Sequence, residues 1–312
     1  MRLRAPVVVA ALAASALTAG TTPVSAAPVA KKACLTVGVY QDKPQSTYAK
    51  LAKAVGPGVK TVSTYVTQGR PVDPKLLKLV KKRKLTLIVS WLPDGGSDGA
   101  NQSKYRLSNV IRGDYDGVLG GLTKQLRGVK KVVFRPMPDP NTPWYAWSGT
   151  VNKNKPASYA KAWKHVRKVV KAAGGKKIKF LWSVYARSVP DAKDNQIAAY
   201  FPGKSQVDYV GADAYNFGAV QGLTWTAPID LFAPAYAVIE KLAAKPFWIA
   251  ETGSTANGGD QTAWIGSLSG LTKTMPKLAG VVWYDVKDSA GDFRLKGQSA
   301  SAFKTLLSQS CK

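Results

Sequence analysis

Short apolar runs alternate with longer stretches in which apolar residues recur every three or four positions, and this alternation continues from residue 35 to residue 307. The runs LTVGVY (35–40), KTVSTYV (60–66), LTLIVSW (85–91), KVVFRP (131–136), IKFLWSV (178–184), VDYVGAD (207–213), PFWIAE (246–251) and GVVWYD (280–285) have the length and β-branched, aromatic content of buried strands. Helical periodicity is clearest from Pro74 to Lys82, Asp114 to Leu126, Pro156 to Ala173, Ile229 to Ala244, Thr262 to Met275 and near Ser299 to Leu307. Eight strand-then-helix units with no Ser/Gly/Pro linker between them predict a single α/β domain, a (β/α)8 TIM barrel. In such a barrel the strand C-termini share one rim. Tyr40, Trp91, Arg135, Asp139, Trp182, Asp213, Tyr215, Glu251, Trp283 and Asp285 are therefore expected to face a common cleft, although any single Trp or Tyr serves equally well as a barrel plug.

The first 26 residues read as processing information. Arg2 and Arg4 precede the apolar stretch Val7 to Leu17, and Val24-Ser25-Ala26 supplies small residues before a cut after Ala26. The expectation is a signal peptide over 1–26, a barrel over 27–312 and a secreted monomer, extracellular or associated with the cell wall. No later stretch approaches the roughly 20 apolar residues that span a bilayer. An exported chain meets oxidising conditions, so Cys34 and Cys311, near the two ends of the mature chain, are expected to form one disulfide. Two unpaired buried thiols are the alternative. The barrel brings these positions together, because its last helix returns to the face where the first strand begins.

Charge changes the picture of partners. With 45 Lys and Arg against 18 Asp and Glu the net charge is +27, and +25 once Arg2 and Arg4 are removed. Such an excess points to polyanions, for example an anionic cell-surface polymer. The lysines are nevertheless spread along helical segments (Lys75, Lys78, Lys81, Lys161, Lys164, Lys168), which describes a solvated basic surface, and no nucleic-acid-binding motif is present. One histidine and two distant cysteines give no zinc spacing, and there is neither a Ser-centred elbow nor a phosphate-cradling loop, so no metal or cofactor is implied. His165, mid-helix between Lys164 and Arg167, reads as a surface residue, and Glu240 as a solvated helix residue.

Glu251 ends the apolar run KPFWIAETG, and Asp139 follows a second such run in VVFRPMPDPNTPWYAW. Two strand-end carboxylates amid aromatics fit glycosidic-bond chemistry: sugar rings stack on aromatic faces, and carboxylates and Arg bind hydroxyls. A polysaccharide is the expected ligand or substrate.

These segments resemble glycoside hydrolase family 26, the mannanase-type retaining barrels. FRPMPDPNTPWYAW is similar to the family's acid/base segment, in which Arg opens the motif and His-Glu-Met-Asn-Gly precedes Trp-Tyr/Phe-x-Trp. GVYQDKP (38–44), IVSWLP (88–93), GDYDGVLGGL (113–122), FPGKSQVDYVGADAYNFG (201–218), KPFWIAETGS (245–254) and VVWYDVKDSAGDFRL (281–295) resemble its other segments in order and spacing, over nearly the whole mature chain. The resemblance implies a retaining endo-β-glycanase with Glu251 as nucleophile and Asp139 at the acid/base position. It places Arg135 beside Glu251, Tyr215 as a donor to the nucleophile, Trp283 under the reacting sugar, and Asp213 on Arg135 or a sugar hydroxyl. Asn141, Trp144, Tyr145, Trp91 and Trp182 join them in binding substrate, with Trp147 beside Trp144 and Tyr145 as a further platform.

The chain departs from the pattern at the acid. Pro138 replaces His, Asp139 Glu, Pro140 Met and Thr142 Gly. A retaining pair stands ~5–5.5 Å apart, Asp withdraws its carboxyl by ~1.5 Å, and a misplacement on the order of 1 Å costs about a hundredfold in rate. The prolines either shift the backbone to compensate or mark a lost acid. The alternative to an enzyme is thus a catalytically impaired, carbohydrate-binding or cell-wall-associated barrel. A wider carboxyl gap that admits water would make the enzyme inverting.

Overall fold

The computed structural model describes residues 35–68, 70–95, 99–219 and 223–309. Both the signal-peptide expectation and the Cys34–Cys311 pairing fall outside these residues. The described chain runs β1 (Thr36–Tyr40), α1 (Pro44–Val55), β2 (Thr61–Thr67), α2 (Pro74–Arg83), β3 (Thr86–Leu92), α3 (Leu107–Arg112), α4 (Asp116–Leu126), β4 (Lys131–Pro136), α5 (Pro156–Ala172) and β5 (Lys179–Tyr185). It continues through β6 (Tyr209–Asn216), α6 (Pro228–Leu242), β7 (Phe247–Ser254), α7 (Gln261–Ser267), α8 (Leu271–Thr274), β8 (Leu278–Tyr284), β9 (Lys287–Asp288), β10 (Gly291–Asp292) and α9 (Gly297–Ser308). Strands β1 to β8 form one closed parallel barrel, sealed by pairing of β1 with β8 from Thr36↔Gly280 to Tyr40↔Tyr284.

The eight expected strands are all present, and the helices differ in detail. Helix α1, started by Pro44 at its first turn, where a proline's missing N–H costs nothing, was not among the clearest periodicities. The expected helix Thr262 to Met275 is interrupted by a 3-10 turn at Leu268–Gly270. No α-helix lies between β5 and β6 among the described residues, and three 3-10 turns, including Ile197–Tyr200, bridge them. His165 is half-buried rather than on the surface, its Nε2 2.8 Å from Asp116 Oδ1.

Alternation along the strands sorts the core into two layers. Val37, Val39, Leu87, Val89, Phe134, Phe180, Val281 and their kind face the helices, whereas Ile88, Val133, Leu181, Trp248, Ala250 and Val282 fill the barrel interior. Trp248 lies across the barrel floor, and Gly280 makes room for it: a Cβ there would overlap the indole ring. Gly280→Ala is expected to destabilise the fold by about 1–3 kcal/mol, the usual cost of overpacking, read as a lower midpoint in denaturant with an unchanged slope.

One irregularity matters for the site. Ala212 pairs with Ile249 but Asp213 with Glu251, so β7 carries an extra residue at Ala250, and the pairing with β8 shifts over the same stretch. Strict alternation from Trp248 and Ala250 would turn Glu251 toward the helices. The bulge turns it into the barrel mouth instead, as bulges beside functional sites do.

Candidate active site

The inward-facing strand ends assemble a polar, aromatic mouth. Arg135, from the end of β4, is fully buried at its centre. Its Nε donates to Ser183 Oγ at 2.8 Å, one terminal nitrogen donates to Asp213 Oδ2, and the other stands 3.6 Å from Glu251 Oε2. A buried guanidinium keeps its charge when such carboxylates surround it. Glu251, only 6% exposed, accepts from two phenols: Tyr215 donates to Oε1 and Tyr65 to Oε2. Both phenols are held well above the ordinary tyrosine value, by burial first and then by the Glu251 charge, so they remain donors.

Tyr65 is the functional residue that sequence reasoning missed. The signal was present in TVSTYVT, where Val62 and Val66 occupy the helix-facing phase and Ser63 and Tyr65 the inner one. Tyr65→Phe is expected to lower kcat/KM about tenfold, the scale of one lost hydrogen bond to a charged group, without moving the thermal midpoint appreciably.

Asp139 sits on an unusual backbone. In Pro136-Met137-Pro138-Asp139-Pro140 the two residues between prolines, Met137 (φ 52°) and Asp139 (φ 53°), are left-handed, a conformation that side chains disfavour and a following proline disfavours further. Every carbonyl of this segment from Met137 to Asn141 is tied down. Tyr159 Oη donates to Met137 O (3.0 Å), Trp147 Nε1 to Pro138 O (2.7 Å), Thr142 Oγ1 to Asp139 O (2.9 Å), Gly149 N to Pro140 O (2.9 Å) and Val189 N to Asn141 O (2.9 Å). Strained backbone held this way is characteristic of sites whose geometry must not relax. The left-handed residues Met137 and Asp139, held by these tethers, therefore set the course of the chain that carries the carboxyl.

Asp139 and Asp213 are neighbours. Each leaves a buried Oδ1 with no protein donor, and the two carboxyls lie within hydrogen-bonding reach of each other, so one shared proton satisfies both. Burial is the main cause that raises both groups. Asp139 is pushed up to about 6, with Glu251 adding to the rise and Arg135 opposing it; Asp213 is raised further.

Other expected site residues divide by strand phase. Trp144 is 47% exposed and meets Tyr185 edge-on at 4.9 Å, which leaves a free indole face at the mouth. Tyr145 lies over Trp147 at 4.5 Å with rings nearly parallel, and is raised by burial and then by Asp139 and Glu251. Tyr40 stacks on Tyr284 at 5.2 Å. Beside Tyr215 a concavity of about 390 Å³ opens, lined by Tyr185, Arg187, Phe217 and Asp230.

Six expectations are corrected. Trp91, Trp182 and Trp283 do not reach the cleft: they are fully buried in the helix-facing layer against Tyr115, Phe201 and Trp264 respectively. Each continues the apolar phase of its strand, and Tyr284, one residue after Trp283, holds the inner position. Asn141 is also fully buried, its amide spent on Tyr185 O (2.8 Å), Tyr185 N (2.9 Å) and Ser188 Oγ (3.2 Å); it splices the loop after β4 to the end of β5. Trp147 is a backbone clamp rather than a platform. Asp285 accepts from Gln41 Nε2 and Leu295 N, both at 2.7 Å, and so holds the loop after β8.

The closed parallel barrel thus gathers three buried carboxylates, an arginine and a fringe of tyrosines at its mouth. The family model of glycosyl hydrolase family 26 matches residues 100–244, and the chain is similar to members of that family. The chain is similar to endoglucanase H of Acetivibrio thermocellus, 26% identical over 206 residues that cover 64% of this chain and 21% of that protein. It is also similar to a mannan endo-1,4-beta-mannosidase of Bacillus subtilis, 30% identical over 161 residues, 48% of this chain and 39% of that one. The chain thus matches only about a fifth and two-fifths of the length of these relatives. Among solved structures, a Cellulomonas fimi endo-beta-1,4-mannanase double mutant superposes with a TM-score of 0.67 at 14% identity, over 88% of this chain and 70% of that one. A family 26 β-mannanase from Bacteroides ovatus gives 0.63 at 17% identity, over 88% of each chain. At these identities the likeness speaks to the fold.

Proposed function

We propose that the protein is a secreted endo-acting β-glycanase that hydrolyses β-glycosidic bonds of a polysaccharide by double displacement. Glu251 attacks the anomeric carbon while Asp139 protonates the leaving oxygen; water then enters, Asp139 takes its proton, and the glycosyl–Glu251 bond breaks. The observation that carries this reading is the arrangement around the two carboxyls. Glu251 is held by Tyr65, Tyr215 and Arg135. Asp139 is raised to about 6 beside Asp213, the state a general acid needs. Two groups of one chemistry thus have different environments, the usual way in which acid and nucleophile roles are divided.

Trp144, Tyr145 and Tyr185 give the polymer its stacking surface, and Arg187 with Asp230 line the concavity beyond Tyr215. Export belongs to the proposal and rests on the amino-terminal pattern of Arg2, Arg4 and Val24-Ser25-Ala26. No helix among the described residues is long and apolar enough to cross a membrane.

The test is an assay of the mature protein on mannan, mixed-linkage glucan, xylan and acidic polysaccharides. Internal cleavage of one of the neutral β-glycans, with a rapid fall in viscosity, is the expected result. Tight binding to such a glycan without turnover would replace this reading by that of a carbohydrate-binding barrel.

A further inference from the structure

Charge is segregated along the barrel axis. A parallel barrel puts every loop that leaves a strand at one end and every connection that enters a strand at the other. The leaving loops are mixed: Asp42, Asp94, Asp260, Asp285, Asp288 and Asp292 accompany Lys43, Arg187, Arg294 and Lys296. The entering stretches are one-sided, with Lys60 before β2, Lys84 before β3, Lys130 before β4, Lys177 before β5, Lys204 before β6 and Lys245 before β7. Among the described residues the carboxylates of this end are Asp208 and Glu240. Both are already paired, with Lys179 at 3.1 Å and Lys277 at 2.9 Å.

Helix ends alone do not account for this excess. A helix C-terminus carries about half a negative charge, yet α2 closes on Lys81, Lys82, Arg83 and Lys84, and the turn after α4 adds Arg127, Lys130 and Lys131. Among the described residues none of Lys84, Lys130, Lys131, Lys176 and Lys177 lies within ion-pair distance of a carboxylate. Crowding is felt by Lys171, which is lowered by burial and then by Arg167 and Lys179. Between the connections into β4 and β5 the surface forms a concavity of about 520 Å³, rimmed by Arg127, Lys130, Lys176 and Lys177.

We propose that this base face docks a polyuronate, an acidic polysaccharide with a carboxylate on each sugar, and leaves the mouth at the opposite end open to the chain being cleaved. Lysines dominate, and they act as hydrated point charges suited to carboxylates spaced along a flexible chain, whereas bidentate phosphate recognition favours arginine. The concavity has no aromatic lining on which bases would stack. Insertion into a lipid surface would need exposed apolar side chains. Among the described residues the exposed large hydrophobics are Trp144, Leu223 and Val238, which lie on the leaving loops and on the flank of α6.

The test titrates polygalacturonate into the protein calorimetrically at low salt and compares two charge-matched variants, Lys130→Gln/Lys131→Gln/Lys176→Gln/Lys177→Gln on the base and Lys75→Gln/Lys78→Gln/Lys161→Gln/Lys164→Gln on the helix flanks. The base variant should bind about tenfold more weakly and the flank variant within about twofold of the parent, with binding lost as salt rises. Cleavage of a small soluble glycoside and the thermal midpoint should stay unchanged in both, so this outcome is separate from the catalytic reading. Equal losses in the two variants would overturn the base assignment. Tighter binding of single-stranded DNA or of anionic phosphatidylglycerol vesicles than of polygalacturonate would overturn the choice of partner.

Discussion

Glu251→Gln is expected to reduce kcat/KM on the preferred glycan by at least about 10⁴-fold, the scale seen when a covalent nucleophile is removed. The substitution keeps the shape and both acceptor–donor contacts open to Tyr65 and Tyr215, so circular dichroism and the thermal midpoint should change little. The amide cannot form the glycosyl ester. Because Arg135 then loses one of its two facing carboxylates, some rearrangement toward Asp213 follows, yet the Arg135–Asp213 pair remains to hold it. Turnover that survives Glu251→Gln would remove the nucleophile assignment.

The second large effect concerns the acid. Asp139→Asn should lower kcat/KM by about 10²–10⁴-fold on an unactivated glycan, but far less on a dinitrophenyl glycoside, whose leaving group departs without a proton. The pH profile supplies an independent reading. Asp139 is raised to about 6, chiefly by burial, and an acid catalyst works only while protonated. Activity is therefore full well below that value and declines as pH rises through about 6, and this alkaline limb should vanish in Asp139→Asn. Restoring the longer side chain should not help. Asp139→Glu extends the carboxyl by ~1.5 Å from a left-handed, fully tethered backbone toward Asp213 and Arg135, so it is expected to lower the rate. A gain in rate would show that the PMPDP backbone does not compensate for the shorter acid.

Much of this was legible in the chain because a (β/α)8 barrel repeats one local pattern. Each strand is a near-continuous apolar run, each helix has a 3.6-residue stripe, and every strand end must reach one rim. Arg135, Asp213, Tyr215, Glu251 and Asp139 were placed at that rim from their positions at the ends of runs. Which way a side chain points required a finer reading. Trp91, Trp182 and Trp283 are at strand ends too, but in phase with Val89, Phe180 and Val281, so they cover the outside of the barrel; the same phase count points to Tyr65 and Tyr284.

For Glu251 that count gives the wrong answer, because the extra residue at Ala250 inverts the phase, and a bulge leaves no compositional mark in FWIAETGS. The consequence of the three prolines was open in sequence as well. Proline fixes its own φ, whereas the left-handed turn falls on Met137 and Asp139, and it is imposed from afar by Tyr159, Trp147 and Gly149. Likewise the polarity of charge is invisible along the chain. Lysines on helix ends and acids on helix starts interleave in sequence and separate only when the barrel stacks all the starts at one end.

Double displacement requires Glu251 to become covalently linked to sugar while Asp139 works from the other side of the bond. The most direct measurement is intact-mass and peptide mapping after incubation with the 2-deoxy-2-fluoro-β-glycoside of the preferred sugar, carrying a dinitrophenolate leaving group. A single glycosyl adduct on the peptide that contains Glu251 is the predicted result. No adduct, together with a first-formed product of inverted anomeric configuration, would contradict it.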